Sequence, residues 1–177
     1  MDSKLWWYAA RANGLVAWGL LAASVLWGLA LSTNVGRGRP RPAWLLDLHR
    51  FLGGAGLVFT GIHVVSIVLD SYVHFGLLEV LVPLTGDWHP VAVAWGIAAL
   101  YLFVAVEVTS LLRAHISQRA WRLTHFASFA LFALATTHAL SAGTDRAAPL
   151  MRWGILGVTA VAAGLTALRV VQALAAG

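Results

Sequence analysis

The sequence contains no cysteine. Disulfides, thiolate-bound metals, iron–sulfur clusters and a cysteine nucleophile are therefore excluded. Charge is scarce as well. Asp, Glu, Lys and Arg make up 11% of the 177 residues, against about 25% in a soluble globular domain. The formal net charge is +5 and Lys4 is the one lysine; the arginines stand between long apolar runs rather than in polar clusters. That pattern excludes a basic nucleic-acid-binding surface, and no nucleic-acid partner is expected. Glycine-rich loops able to cradle a nucleotide phosphate are missing too. The polar pieces between the apolar runs are all short, so no soluble catalytic domain is expected beside them.

Apolar residues are abundant. They make up 60% of the chain, in five runs longer than the roughly 18 residues that mark a membrane-spanning helix. The sequence thus predicts an all-α, integral membrane bundle of five transmembrane helices, a single domain over residues 1–177 with membrane lipid around it. The spans are expected at about Leu5 or Gly14 to Ser32, Ala43 to Leu69, Pro90 to Leu112, Ala120 to Leu140 and Leu150 to Val171. A weakly amphipathic piece, Tyr72 to Leu84, is expected to lie at the interface rather than to span. Breaks are signalled by Gly36-Arg37-Gly38-Arg39-Pro40-Arg41-Pro42, by Pro83 and Gly86, and by Gly143-Thr144-Asp145 with Pro149. The first run is too long for a secretory signal, and Trp6, Trp7 and Tyr8 read as an interfacial aromatic anchor.

Basic residues in short loops set the expected orientation. Placing the first loop inside gathers Arg37, Arg39, Arg41, Arg50, Arg113, Arg119, Arg122 and Arg169 there, and leaves Lys4, Arg11, Arg146 and Arg152 outside. The second loop carries Asp70, Glu79 and Asp87 without a basic residue, which suits the outer face. The N-terminus is expected outside and the C-terminus in the cytoplasm.

Four of the seven histidines fall inside spans: His49 and His63 on the second, His125 and His138 on the fourth. Ionisable residues at membrane depth are costly and commonly mark a functional pathway. An isolated histidine there is ordinarily explained by a hydrogen bond to a neighbouring helix. Two similarly spaced pairs ask for more. His49 and His63 are 14 residues apart and His125 and His138 are 13 apart, about 21 and 20 Å along a helix. The second and fourth spans run in the same direction, so His49 lies level with His125 and His63 with His138. Each level then holds two imidazoles on facing helices.

Zinc and copper sites take three or four protein ligands, which this pattern does not supply. A proton relay would want carboxylate partners, and Glu107 is the one acid deep in a span. A b-type haem needs only two axial ligands, because the porphyrin provides the other four. Two haems b about 20 Å apart would reach across most of a hydrocarbon core of about 30 Å. Arg50 and Arg122 flank the inner pair and Arg11 is level with the outer pair, where each can hold a haem propionate. Gly53, Gly54, Gly56 and Gly61 lie between the two histidines of the second span, and serve either to admit a flat macrocycle or to let helices approach. At 100° per residue, 14 positions return to within about 40° of one face, but 13 leave a mismatch of about 140°. Helix tilt, haem tilt or a tightened turn near Thr136 and Thr137 is needed to absorb it. His74, His89 and His115 are expected in solvated loops; with Asp70, Glu79 and Asp87, the first two form an acidic outer patch.

The stretches LHRFLGGAGLVFTGIHVVSIVLDS and AWRLTHFASFALFALATTHAL, with Ala10-Arg11-Ala12, resemble the ferric reductase-like transmembrane domain. That family includes the membrane cores of ferric-chelate reductases and NADPH oxidases, and the haem subunit of periplasmic methionine sulfoxide reductase. The likeness covers about Arg11 to Leu140. It implies that His49 and His125 bind the inner haem iron and that His63 and His138 bind the outer one. The family core has six spans where five are read here, and no flavin or NAD(P)H domain is read in this chain. The resemblance therefore implies electron transfer across a bacterial-type inner membrane. The donor would be a separate flavoprotein or a quinol, and the acceptor would lie on the outer face or be a periplasmic reductase. A haem-free transporter or assembly subunit is the reading from another class.

Overall fold

The computed structural model describes residues 4–32, 42–71 and 75–175. Arg37, Arg39, Arg41 and His74 lie outside the described residues. Five helices are long and apolar enough to cross a membrane, and no strand occurs among the described residues. They are α1 (Leu5–Ser32), α2 (Trp44–Leu69), α4 (Pro90–Leu111), α5 (Gln118–Ala142) and α6 (Pro149–Ala175); α3 (Leu77–Leu81) is a single short turn of helix. This is an all-α integral membrane protein. At 1.5 Å per residue the spans run about 33 to 42 Å, enough to cross a core of about 30 Å with tilt to spare.

Local chemistry explains the ends. Pro90 and Pro149 open α4 and α6, where a missing N–H costs nothing and φ is already helical. Ser117 caps α5 by accepting the Ala120 N–H at 3.2 Å. Gly143 follows the last turn of α5, at a point where a Cβ would collide with the Ala139 carbonyl. Among the described residues of the segment expected at the interface, the five residues of α3 are helical, and its first turn is tied by the Glu79 carboxylate accepting from the Gly76 N–H at 2.6 Å.

With five crossings, the two ends of the chain lie on opposite faces, called here the amino face and the carboxy face. α1 packs along α2, and α4 along α5, as two antiparallel hairpins; α1 also touches α5 and α6. The shared core consists of Leu21, Val25, Phe103, Leu131 and Phe132, with small residues such as Ala22, Ala99 and Ala162 at the helix contacts. Small residues let helices approach closely where lipid supplies no hydrophobic drive. Large apolar side chains such as Leu111, Leu123, Leu150 and Leu174 project outward, as an envelope in lipid should have. The Trp18 indole N–H donates to the Thr136 hydroxyl at 3.0 Å, tying α1 to α5. α2 and α5 face one another with scarcely any backbone contact. Their approach is made by side chains.

Candidate functional site

Those side chains are the four intramembrane histidines. On the carboxy-face level the rings of His49 and His125 have centroids 6.0 Å apart with planes at 76°. On the amino-face level His63 and His138 are 6.4 Å apart at 74°. The levels match those expected from spacing, with one pair near each membrane face. α5 is continuous helix from Gln118 to Ala142, so no tightened turn occurs at Thr136 and Thr137. Both pairs nevertheless face one another across α2 and α5.

Three of the four imidazoles are held by one repeated device. His63 Nδ1 donates to the Ala10 carbonyl at 2.7 Å, and a Cβ on Gly14 would lie 2.9 Å from that nitrogen. His49 Nδ1 donates to the Ser24 carbonyl at 3.1 Å, and a Cβ on Gly28 would lie 3.1 Å from the ring. His138 Nδ1 donates to the Ala92 carbonyl at 2.8 Å, and a Cβ on Gly96 would lie 2.7 Å from it. In each case the acceptor is residue i of the neighbouring helix and the glycine is residue i+4. The carbonyl already accepts the glycine's own N–H within the helix. Without a side chain on that glycine, an imidazole from the next helix can reach the oxygen's second lone pair. Donation from Nδ1 fixes the tautomer and leaves Nε2 unprotonated, the state a metal ligand needs.

His125 has no such partner. Its Nδ1 is buried and unbonded, as is the indole nitrogen of Trp121. The two rings stack at 5.0 Å and 20°, and the Arg113 guanidinium lies 4.4 Å from the Trp121 ring centre.

Each pair presents two nitrogen donors, and no third His, Asp or Glu joins either pair among the described residues. Two imidazoles bound to one metal, with bonds of about 2 Å and about 1.2 Å from nitrogen to ring centre, have centroids about 6.4 Å apart. The observed separations therefore fit two axial imidazoles on a single iron. On the amino-face level the rings of His63 and His138 border a partly open cavity of about 240 Å³ lined by residues of α1, α2, α4, α5 and α6. The imidazole separations fit a bis-imidazole haem at both levels, and at the amino-face level a cavity adjoins the pair.

Arg11 also borders that cavity, but its guanidinium is engaged by the Asp145 carboxylate in a two-pronged ion pair, with Nε to Oδ2 at 3.1 Å. Arg50 and Arg122 are exposed at the carboxy face, and Arg50 reaches Asp47 at 3.4 Å. Of the four glycines on α2, Gly53 faces Glu107 and Gly56 faces Phe103, which is helix packing, while Gly54 and Gly61 have nothing near. The glycines that touch imidazoles are on the neighbouring helices instead. Gly14 and Gly28 stand 14 residues apart, in step with His63 and His49, and that match is the signal by which they can be found. His115 lies in an exposed 3₁₀ turn. His89 caps α4 at φ 44° against Trp88. Asp70 is buried rather than part of a solvated patch.

Comparison with family models, curated proteins and solved structures found no match to this chain.

Proposed function

We propose that the chain is a di-haem b transmembrane electron-transfer protein, ferric reductase-like in its histidine arrangement. It would pass electrons from a carboxy-face donor, a flavoprotein or a quinol, to an acceptor at the amino face. The carrying observation is the pair of facing imidazole couples at 6.0 and 6.4 Å, near opposite faces of the membrane. When bound, each haem supplies a one-electron ferric/ferrous couple. The protein's part is to hold and insulate. His49, His63 and His138 are oriented by carbonyls of neighbouring helices, which raises the basicity of their ligating nitrogens. Leu21, Phe103 and Leu131 form a buried apolar layer midway between the levels. With both axial positions held by histidine, an acceptor would be reduced at the haem edge rather than at the metal. An acceptor that is a soluble reductase rather than a small chelate would copurify with the chain.

The test is a dithionite-reduced minus oxidised spectrum of detergent-purified protein, with a haem-to-protein ratio. Two low-spin b haems per chain are expected, and His63→Leu or His138→Leu should remove one of them. Imidazole planes near 75° leave the two iron π orbitals close in energy, so the ferric signals should be of the strongly anisotropic low-spin kind rather than rhombic. Colourless protein after expression with haem precursor would sink the proposal and bring forward the haem-free transporter or assembly reading.

A further inference from the structure

The repeated carbonyl–glycine device occurs three times and fails once, and the failure has a local cause. On α1 the acceptor and glycine pairs are Ala10 with Gly14 and Ser24 with Gly28, one step of 14 residues. On α4 the pair Ala92 with Gly96 serves His138, and the same step leads to Val106 and Ser110. That position differs from the other three in two ways. Ser110 carries the Cβ that the other three positions lack. The Thr109 hydroxyl already donates to the carbonyls of Ala105 at 2.7 Å and Val106 at 3.2 Å. His125 Nδ1 is left buried without an acceptor. Its ring stacks on Trp121, one turn away on its own helix. Three imidazoles are thus pinned to a second helix, and the fourth has no such tie.

We infer that the carboxy-face pair is a coordination site that opens at His125 and accepts a small neutral diatomic ligand, while the amino-face pair stays closed. The inference rests on the di-haem reading. Releasing His63, His138 or His49 from a metal would require breaking an interhelical hydrogen bond or moving a ring wedged against a glycine. Release of His125 breaks no hydrogen bond. A ligand whose Nδ1–H lacks an acceptor is also the poorer donor, since second-shell acceptors strengthen imidazole ligation. With haem bound, the incoming ligand would take the place of His125, which would leave as neutral imidazole, with no change in the oxidation state of the iron.

Carbon monoxide titrated into the dithionite-reduced, two-haem protein is the probe. One CO per two haems is expected, and the CO-binding fraction should persist when His63→Leu has removed the amino-face haem. The double variant Thr109→Val with Ser110→Gly frees the Val106 carbonyl and removes the blocking Cβ. It should keep both haems and lose CO binding by at least tenfold in affinity. The wild-type stoichiometry stands as a test even if that variant does not fold. A two-haem protein that binds no CO, or two CO per chain, or CO lost with His63→Leu, overturns the inference. A haem-free protein, evident before any CO is added, would instead overturn the di-haem reading on which it rests.

Discussion

At the residue scale, the site depends on atoms that are absent from three glycines. Gly96 is the tightest, since a Cβ there would lie 2.7 Å from His138 Nδ1 and 2.8 Å from Cε1. The facing ring cannot yield without losing its bond to the Ala92 carbonyl. Gly96→Ala should therefore displace His138, cost about 1–3 kcal/mol through overpacking, and lower the amino-face haem content while sparing the carboxy-face haem. Gly19 is the control, because nothing lies within 4 Å of a Cβ at that position. Haem content and the spectrum of the two variants decide the matter. Equal loss in both, or none in either, would mean that the close approach at Gly96 does not position the imidazole.

At the element scale, the midpoints of the histidine and glycine steps meet in one layer. Leu21 is midway between Gly14 and Gly28, Gly56 between His49 and His63, and Leu131 lies between His125 and His138. Phe103 joins them, with its Cζ 3.0 Å from where a Cβ on Gly56 would be. Phe103 is 4% exposed and Phe126, on α5, is 62% exposed toward lipid. Truncating Phe103 to Ala should open a cavity between the levels and cost about 3–5 kcal/mol. Phe126→Ala should cost far less, because lipid fills the space. Thermal unfolding in one detergent compares them, and similar losses would refute a filled layer. The five spans and both histidine pairs are legible in the sequence, because apolar run length and 1.5 Å per residue are one-dimensional quantities. The 13-residue spacing on α5 appears in the sequence as an obstacle, because an angle counted around an isolated helix omits tilt and the reach of the side chain. The roles of Gly53 and Gly56 are not legible for a related reason, since which face of α2 meets α4 depends on the neighbour. Arg11 is the clearest case. Its level is readable from the sequence, but its partner Asp145 is 134 residues away, and only the meeting of α1 with the turn after α5 brings them together.

At the scale of the whole molecule, the direction of the proposed electron flow turns on which face is which. The carboxy face of the described chain carries Arg50, Arg113, Arg119, Arg122 and Arg169 at the ends of α2, α4, α5 and α6, together with Asp47. The amino face carries Lys4, Arg11, Arg146 and Arg152, together with Asp70, Glu79, Asp87 and Asp145. Among the described residues each face holds one ion pair, Arg11 with Asp145 on the amino side and Arg50 with Asp47 on the carboxy side, so the difference between the faces rests on the basic residues themselves. Positive charge in short loops is retained on the cytoplasmic side during insertion. The carboxy face, with the His125 level beneath it, is therefore the proposed cytoplasmic side. Alkaline phosphatase, which is active only after export, should be inactive when fused at the C-terminal end and active when inserted at Gly86-Asp87 between α3 and α4. The reverse pattern would turn the molecule over. It would place the amino-face pair next to the cytoplasmic donor and put the displaceable His125 on the side of the acceptor.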